Sequence, residues 1–435
     1  MRTPCRVRRV TFTNLCFFLA VFVGGNSAKA ANVVCTDLSA AIRAGSEKSE
    51  SVQIENAAVE EAGAQLDSAR AGVMPSLALS GTATKAEGVP DGSAANVQSG
   101  LKIILSQPLY KGGREYALLR AANAQLEAGQ AKAAAAMVKS ARDLTVMYFN
   151  TLGAQAEVAA LTDLRGLSER RYSEIKSRVA IGRSRATDGL GAEAQVSSAR
   201  AQLDAAKIQL ESVRRSLESA TGLKVDSVCD VPVGDVAVGG VPGGAGPTAD
   251  WEHVRQKVLA RPDIIAERIA LDVARESVNA ARAGHMPSFD LSGNYYLKRA
   301  TSSSANSNWD VTLSASLPLF SGGGVNAAVR EAKAVEVQQS FRQQLAERSA
   351  LDEARDLWER FAASQKQNEM LDESAKKSDV YYRRVAQDER LGLASSLETL
   401  QALTSAIDAR RAAVKARVQL GQTRQTLQLA IGSVP

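Results

Sequence analysis

Ala69-Arg70-Ala71-Gly72-Val73-Met74-Pro75-Ser76 is written a second time, 212 residues on, as Ala281-Arg282-Ala283-Gly284-His285-Met286-Pro287-Ser288. Each copy reads as a helix stop, a glycine with a proline three residues later, leading into an alternating stretch. Further landmarks keep almost the same spacing. Pro108-Leu109-Tyr110-Lys111-Gly112-Gly113 returns as Pro318-Leu319-Phe320-Ser321-Gly322-Gly323, Tyr172 as Tyr382, Gly182 as Gly392, and Ala220-Thr221-Gly222 as Ala430-Ile431-Gly432. An offset of 210–212 residues held over five landmarks is the mark of a duplication. The repeats are residues 31–222 and 250–435. Between them 223–249, with three prolines and the pairs Gly239-Gly240 and Gly243-Gly244, is too broken for regular helix and reads as a linker or small surface element.

Both repeats predict the same order of elements. A helix of roughly 35 residues (about 37–72 and 251–284) ends at the glycine–proline stop. Two strands follow, at 76–85 and 97–107 or at 288–298 and 309–319. Pro75 and Pro287 mark the turns into the first strands. Pro108, Gly112 and Gly113, with Pro318, Gly322 and Gly323, mark the turns out of the second. A very long helix comes next (about 113–180 and 322–390), then a break at Gly182 or Gly392 and a last helix of about 38 residues. At 1.5 Å per residue the long helix reaches about 100 Å. The two shorter helices together nearly match it, so they stack end to end along its side. Such a rod is too long for a globular core.

In all four strands the odd positions carry most of the apolar side chains: Leu77, Leu79; Leu101, Ile103, Leu105; Phe289, Leu291, Tyr295; Trp309, Val311, Leu313. The even positions are largely small or polar. This alternation predicts a sheet with one dry and one wet face. Strands of this length also suit an outer membrane crossed at a tilt, although periodicity alone equally fits two soluble hairpins packed on helices. Four strands cannot close a membrane barrel, and an open edge is excluded from lipid. Membrane strands would therefore have to be shared between chains, and three chains supply twelve.

The first thirty residues favour the membrane reading. Basic residues at positions 2–9 lead into Leu15–Val23, and Ala28-Lys29-Ala30 offers a small-x-small cleavage site, the pattern of a secretory signal peptide. An apolar run of about nine residues is roughly half of what a transmembrane anchor needs. The chain holds 53 Lys and Arg against 47 Asp and Glu, but without this leader 48 cations face 47 anions. So near-neutral a chain has no global reason to bind nucleic acid. Cys5 and Cys16 leave with the leader. Cys35 and Cys229 remain and are candidates for a disulfide in an oxidising compartment, two unpaired thiols being the alternative. Asn32-Val33-Val34 before Cys35 is a poor match to a lipidation segment.

With its Ala-Arg-x-Gly-x-x-Pro-Ser and Pro-Leu-[Tyr/Phe]-x-Gly-Gly turns and doubled Gly182…Asp188 and Gly392…Glu398 turns, the chain from about 36 to 432 resembles the outer-membrane efflux (TolC) family. The resemblance implies a mainly α fold with a membrane β-barrel. Long helical hairpins form a twelve-helix periplasmic tunnel, and four strands per chain build a twelve-stranded barrel in a homotrimer. It also implies outer-membrane lipid around the barrel, a periplasmic adaptor protein and an inner-membrane pump, ABC-type or proton-driven, as partners. Residues 223–249 would join a belt around the tunnel, where Cys35 and Cys229 would meet. The cargo would be drugs or, in type I secretion, protein.

In the family the hairpin tips form the tunnel's periplasmic entrance and contact the adaptor. The tip positions here are Gly182, Thr187 and Asp188, and Gly392, Ser396, Glu398 and Gln401. Glu398 falls on the first position of an acidic ring and Gln401 on the second, which here is not acidic. Three copies of Glu398 would favour cations, unless the side chain simply lies solvated on a helix surface. Thr187 or Asp188 also suits a helix cap.

Catalysis has no foothold. His253 and His285 lack metal-ligand spacing, and Gly112-Gly113 and Gly322-Gly323-Gly324 lack the Lys-Ser/Thr of a phosphate loop. Neither an enzyme nor a cofactor is expected. The rival from another class is a soluble periplasmic coiled-coil adaptor without a pore.

Overall fold

The computed structural model describes residues 35–85, 97–231, 251–299 and 307–431. The leader with its cleavage site, the tips of both strand connections and the linker from 232 to 250 lie outside the described residues. The first repeat contributes α1 (Leu38–Lys48), α2 (Glu50–Ala71), β1 (Ser76–Lys85), β2 (Val97–Lys111), α3 (Arg114–Ala180) and α4 (Ala186–Thr221). The second contributes α5 (Trp251–Leu259), α6 (Pro262–Arg282), β3 (Ser288–Lys298), β4 (Trp309–Ser316), α7 (Gly324–Arg390) and α8 (Ser396–Ala430).

The first helix of each repeat, expected as one piece, is two. In the second repeat the cause is Pro262. It denies the preceding residue helical geometry, and Arg261 turns extended before the helix restarts with proline at its first position. In the first repeat Ser49 leaves helical geometry between α1 and α2. The start of α1 is fixed by Asp37, whose carboxylate accepts the Ser39 N–H at 3.2 Å. The Ser39 hydroxyl bonded to the same carboxylate holds it below the usual range.

The helices α3 and α7, 67 residues each, run the full length of the rod. In the half nearer the sheet the lateral order is α2, α3, α6, α7, and in the half nearer the tips it is α4, α3, α8, α7. The shorter helices are thus stacked end to end beside the long ones. Close approach along α3 is allowed by alanines buried in the helix contacts, among them Ala117, Ala128 and Ala133. Arg120 bonds Glu276 at 2.8 Å to tie α3 to α6, and Arg411 bonds Glu157 to tie α8 to α3.

Among the described residues the apolar core is three separate clusters along the rod rather than one. At mid-height Leu38, Ile42, Leu144, Tyr148, Leu152, Leu217 and Val228 pack together, and Val254, Val258, Ile264, Trp358 and Leu427 form the second repeat's counterpart. Leu161, Leu164, Leu203, Leu403 and Ile407 make the third cluster, nearer the tips. Each fully buried leucine or isoleucine is worth about 1.5–3 kcal/mol, so the rod is held at intervals.

Against the first cluster lie two segments, 35–36 and 223–231, the belt segments of this repeat. Cys35 and Cys229 are joined by a disulfide, and Thr36 pairs with Val228 in a parallel bridge. The buried Tyr148 hydroxyl donates to the carbonyls of Thr36 (3.0 Å) and Cys229 (2.8 Å). The Gln155 amide accepts the Val228 N–H at 3.2 Å. Both segments, whose cysteines are 194 residues apart in the chain, are thereby fastened to one face of α3.

Candidate functional site at the sheet and the helical tips

β1 to β4 form one antiparallel sheet in chain order, so β1 and β4 are its two edges. The register aligns the odd residues into rows across all four strands, such as Leu79, Ile103, Tyr295 and Trp309. The even residues form rows such as Ser76, Ser106, Ser292 and Thr312 on the opposite face. There the Asn294 amide donates to Asp310 at 2.9 Å, and the Arg299 guanidinium lies 4.0 Å from the Tyr296 ring centre. The apolar face is open: Leu77, Trp309 and Leu313 are 73%, 64% and 62% exposed. An apolar patch this continuous, with an unpaired backbone edge on each side, is an unfinished structure in a lone chain.

Two strand boundaries differ from the sequence expectation. β2 extends to Lys111, so Pro108 lies inside a strand, opposite Asp290, rather than in the turn that follows. The register shifts between Pro108 and Tyr110, a bulge that accommodates a residue with no N–H to give. β4 stops at Ser316, and Pro318 lies in the irregular segment after it. Pro75 and Pro287 immediately precede β1 and β3 as expected. The strand-to-helix turn needs Gly112 twice over. Its φ is +68°, and a Cβ there would sit 2.6 Å from both the Ala283 carbonyl and the Met286 Cβ.

At the other end of the rod the two hairpin tips share one backbone device. Gly182 and Gly392 take φ of +70° and +81°. The next residue's N–H then turns back onto the helix, Arg183 to the Arg178 carbonyl and Leu393 to the Asp388 carbonyl, both at 2.8 Å. This is the left-handed glycine stop of a helix. The restart differs. Ser395 caps α8: its hydroxyl accepts the Glu398 N–H at 3.2 Å, and the Glu398 carboxylate accepts the Ser395 N–H at 2.8 Å. At α4 Arg185 holds that place and offers no acceptor, leaving only Asp188, which accepts the Arg185 N–H at 3.2 Å. Thr187 is exposed in the first turn of α4 and Gln401 is exposed on α8. Glu398, placed by resemblance on the entrance ring, therefore spends its carboxylate on a local cap.

Sequence reasoning missed the main polar cluster of the tips. Glu389, with a side chain only 5% exposed, is bonded by Arg171 and by Arg178 at 3.1 Å. Glu174 accepts from the same two arginines, at 3.3 and 2.6 Å. Arg171 also reaches the Ser396 hydroxyl at 3.3 Å. Five side chains thus join α3 to both α7 and α8, fastening one tip hairpin to the other. The signal was present: Arg171, Glu174 and Arg178 follow the spacing of one helix face, where an apolar stripe would be expected of a packed helix.

No described helix is long and apolar enough to cross a membrane. Among the described residues no cluster of His, Cys, Asp and Glu could hold a metal ion.

Comparison with known proteins points the same way. TolC of Vibrio cholerae, an outer membrane protein, is 23% identical over 215 residues, and the chain spans about half the length of this curated relative. The crystal structures of CusC, described in connection with transmembrane channel formation, superpose with a TM-score of 0.81 at 19% identity, covering 95% of this chain and 96% of that one. The CmeC outer membrane channel of Campylobacter jejuni gives 0.78 at 18% identity, with 97% and 94% covered. The model of the outer membrane efflux protein family matches residues 45–223 and 254–433, one match per repeat. The chain belongs to that family, a family of channels rather than enzymes, and is a protein of the cell outer membrane with its helical part in the periplasm.

Proposed function

We propose that three chains assemble into an export duct, with β1 of one chain pairing with β4 of the next to close a twelve-stranded barrel. The observation that carries this reading is the four-stranded sheet itself, apolar on one face and unpaired at both edges, standing on helices of about 100 Å. Closure removes both edges and gives the exposed apolar face a lipid surround. The duct conducts passively from the periplasm to the exterior, and transport energy comes from an inner-membrane pump reached through a periplasmic adaptor. Drug efflux and type I protein secretion both use such a duct. The tips around Gly182–Asp188 and Gly392–Gln401 are the adaptor's contact and the entrance, and the Arg171–Glu389–Arg178 cluster holds them closed until the adaptor docks.

The decisive experiment is the detergent-corrected mass of protein extracted from outer membranes, followed by conductance in planar bilayers. A trimer that conducts is the expected result. A detergent-free monomer or dimer without conductance would hand the chain to a periplasmic adaptor role. Engineered cysteines that lock neighbouring tips should abolish export, and undiminished export would defeat the gate.

A further inference from the structure

Between α4 and α8, over the face of α3, lies a half-open groove of about 710 Å³. It lies on the side of the wall turned away from the belt. On α3, Asn150, Gly153 and Glu157 line the groove, and they fall about 140–200° around the helix from Tyr148, which bonds the belt. On α8, Arg411, Val418 and Gln422 line it, about 180–220° around from Leu427, which is buried in the second repeat's cluster. If the belt surrounds a tunnel, this groove faces the conduit.

The chemistry of the lining is selective. Arg411 serves both carboxylates of the groove, bonding Glu157 through Nε at 3.0 Å and the exposed Asp408 at 3.4 Å, so with Lys415 the four charges of the lining balance. The exposed Lys415, one helical turn from Arg411, has no carboxylate partner among the described residues. Amides from Gln209 and Gln419, equivalent positions of the two repeats, flank it on α4 and α8. The half-buried Val213, Val414 and Val418 supply apolar wall, backed by the buried Phe149. The volume is that of a small-molecule site, and its lining mixes charged and amide side chains with alanines and valines.

We infer that this groove is a cargo-contact site for amphiphilic solutes bearing one negative charge, with the Lys415 ammonium as the charge anchor and the Val213–Val418 wall receiving the apolar body. As a station on the transport path it rests on the duct reading, whereas binding itself does not. One open cation favours a carboxylate or sulfonate, and like charge disfavours a cationic solute of the same shape. The equivalent of Lys415 in the first repeat is Ala205, so the anchor belongs to α8 alone.

The test uses the full mature protein in nanodiscs with dansylglycine, an apolar naphthalene carrying a carboxylate, and dansylcadaverine as its cationic counterpart. Saturable, blue-shifted binding of dansylglycine is expected. Lys415→Glu should weaken it about tenfold or more and Lys415→Arg should preserve it. Absence of saturable binding, equal binding of the cationic probe, or a Lys415→Glu variant that binds as tightly as the parent would each overturn the assignment. Mass and conductance are read on the same preparation. A conducting trimer that does not bind defeats the groove alone, and a non-conducting monomer that binds through Lys415 defeats the duct alone.

Discussion

Tyr148 and Trp358 stand 210 residues apart, at the same place in the two long helices, and do opposite things. Tyr148 reaches through an apolar cluster to two belt carbonyls, beside a disulfide. Trp358 packs among Val254, Val258, Ile264 and Leu427, and among the described residues no disulfide joins that side. At the tips the balance reverses: α8 has the complete Ser395–Glu398 cap and α4 has Arg185 in its place. A duplicated backbone has been filled with different side-chain chemistry at each end. The lesson is that the shared geometry, set by glycines and prolines, tolerates either polar or apolar fastening as long as each belt segment and each tip has one.

The largest expected effect tests the first repeat's fastening. Cys35 and Cys229 close a loop with a sequence separation of 194 residues. Constraint of the unfolded chain by such a loop is worth about 5 kcal/mol at most. Replacing both by serine should release α1 and residues 223–231, raising their hydrogen exchange while α5 stays protected. If both sides exchange alike, the asymmetry at the belt is only apparent. Next comes Glu389→Gln, which leaves Arg171 and Arg178 with the half-exposed Glu174 as their remaining carboxylate. Breaking a buried pair costs about 3–5 kcal/mol, and the partial exposure of Arg178 puts the expectation at the lower end. Tip amides should exchange faster and conductance should rise. Unchanged exchange at 171–190 would show that the hairpins are fastened some other way.

A smaller effect is read by pH. Burial, with the negative charge of Asp37, pushes the Tyr148 phenol up to about 12. Below about pH 10 the phenol is protonated in folded and unfolded chains alike, and its contribution to stability is complete. As pH rises from 10 through 12 the unfolded chain loses its proton first, and that contribution drains away. Tyr148→Phe should remove this part of the alkaline dependence and cost about 1 kcal/mol at neutral pH. Ultraviolet titration of the phenolates, parent against variant, measures it directly.

Much of this architecture was legible in the sequence because backbone punctuation is local. Glycines at positive φ, prolines at strand entries and period-two alternation each report on a few neighbouring residues, and the duplication let every reading be checked against its partner. The errors were also local. Pro262 interrupts a stretch whose spacing predicts one helix, and a bulge carries β2 onward past Pro108, where the spacing predicts a turn. The tip cluster was legible only on its α3 side, where Arg171, Glu174 and Arg178 share a face, because Arg171 and Glu389 are 218 residues apart and nothing short of the folded rod brings α3 beside the end of α7. The groove on α3 was hidden for the same reason, its walls coming from three helices of both repeats.

The smallest prediction tests the tips most directly. A serine cap bonded to an N–H of the first turn is worth about 1 kcal/mol over a residue that offers no acceptor. Arg185 also sets a positive charge at the positive end of the α4 dipole, a further few tenths of a kcal/mol in the wrong direction. Arg185→Ser should therefore stabilise the first turn of α4 by about 1 kcal/mol, and Ser395→Ala should weaken α8 by a similar amount. Both are readable as slower or faster exchange of the first-turn amides. If the tips only end helices, Arg185→Ser improves the protein and changes nothing else. If the arginine is there to meet the adaptor, the same substitution slows exchange and lowers export together. A stabilised tip with intact export would mean that the first repeat carries its weaker cap for no reason connected with docking.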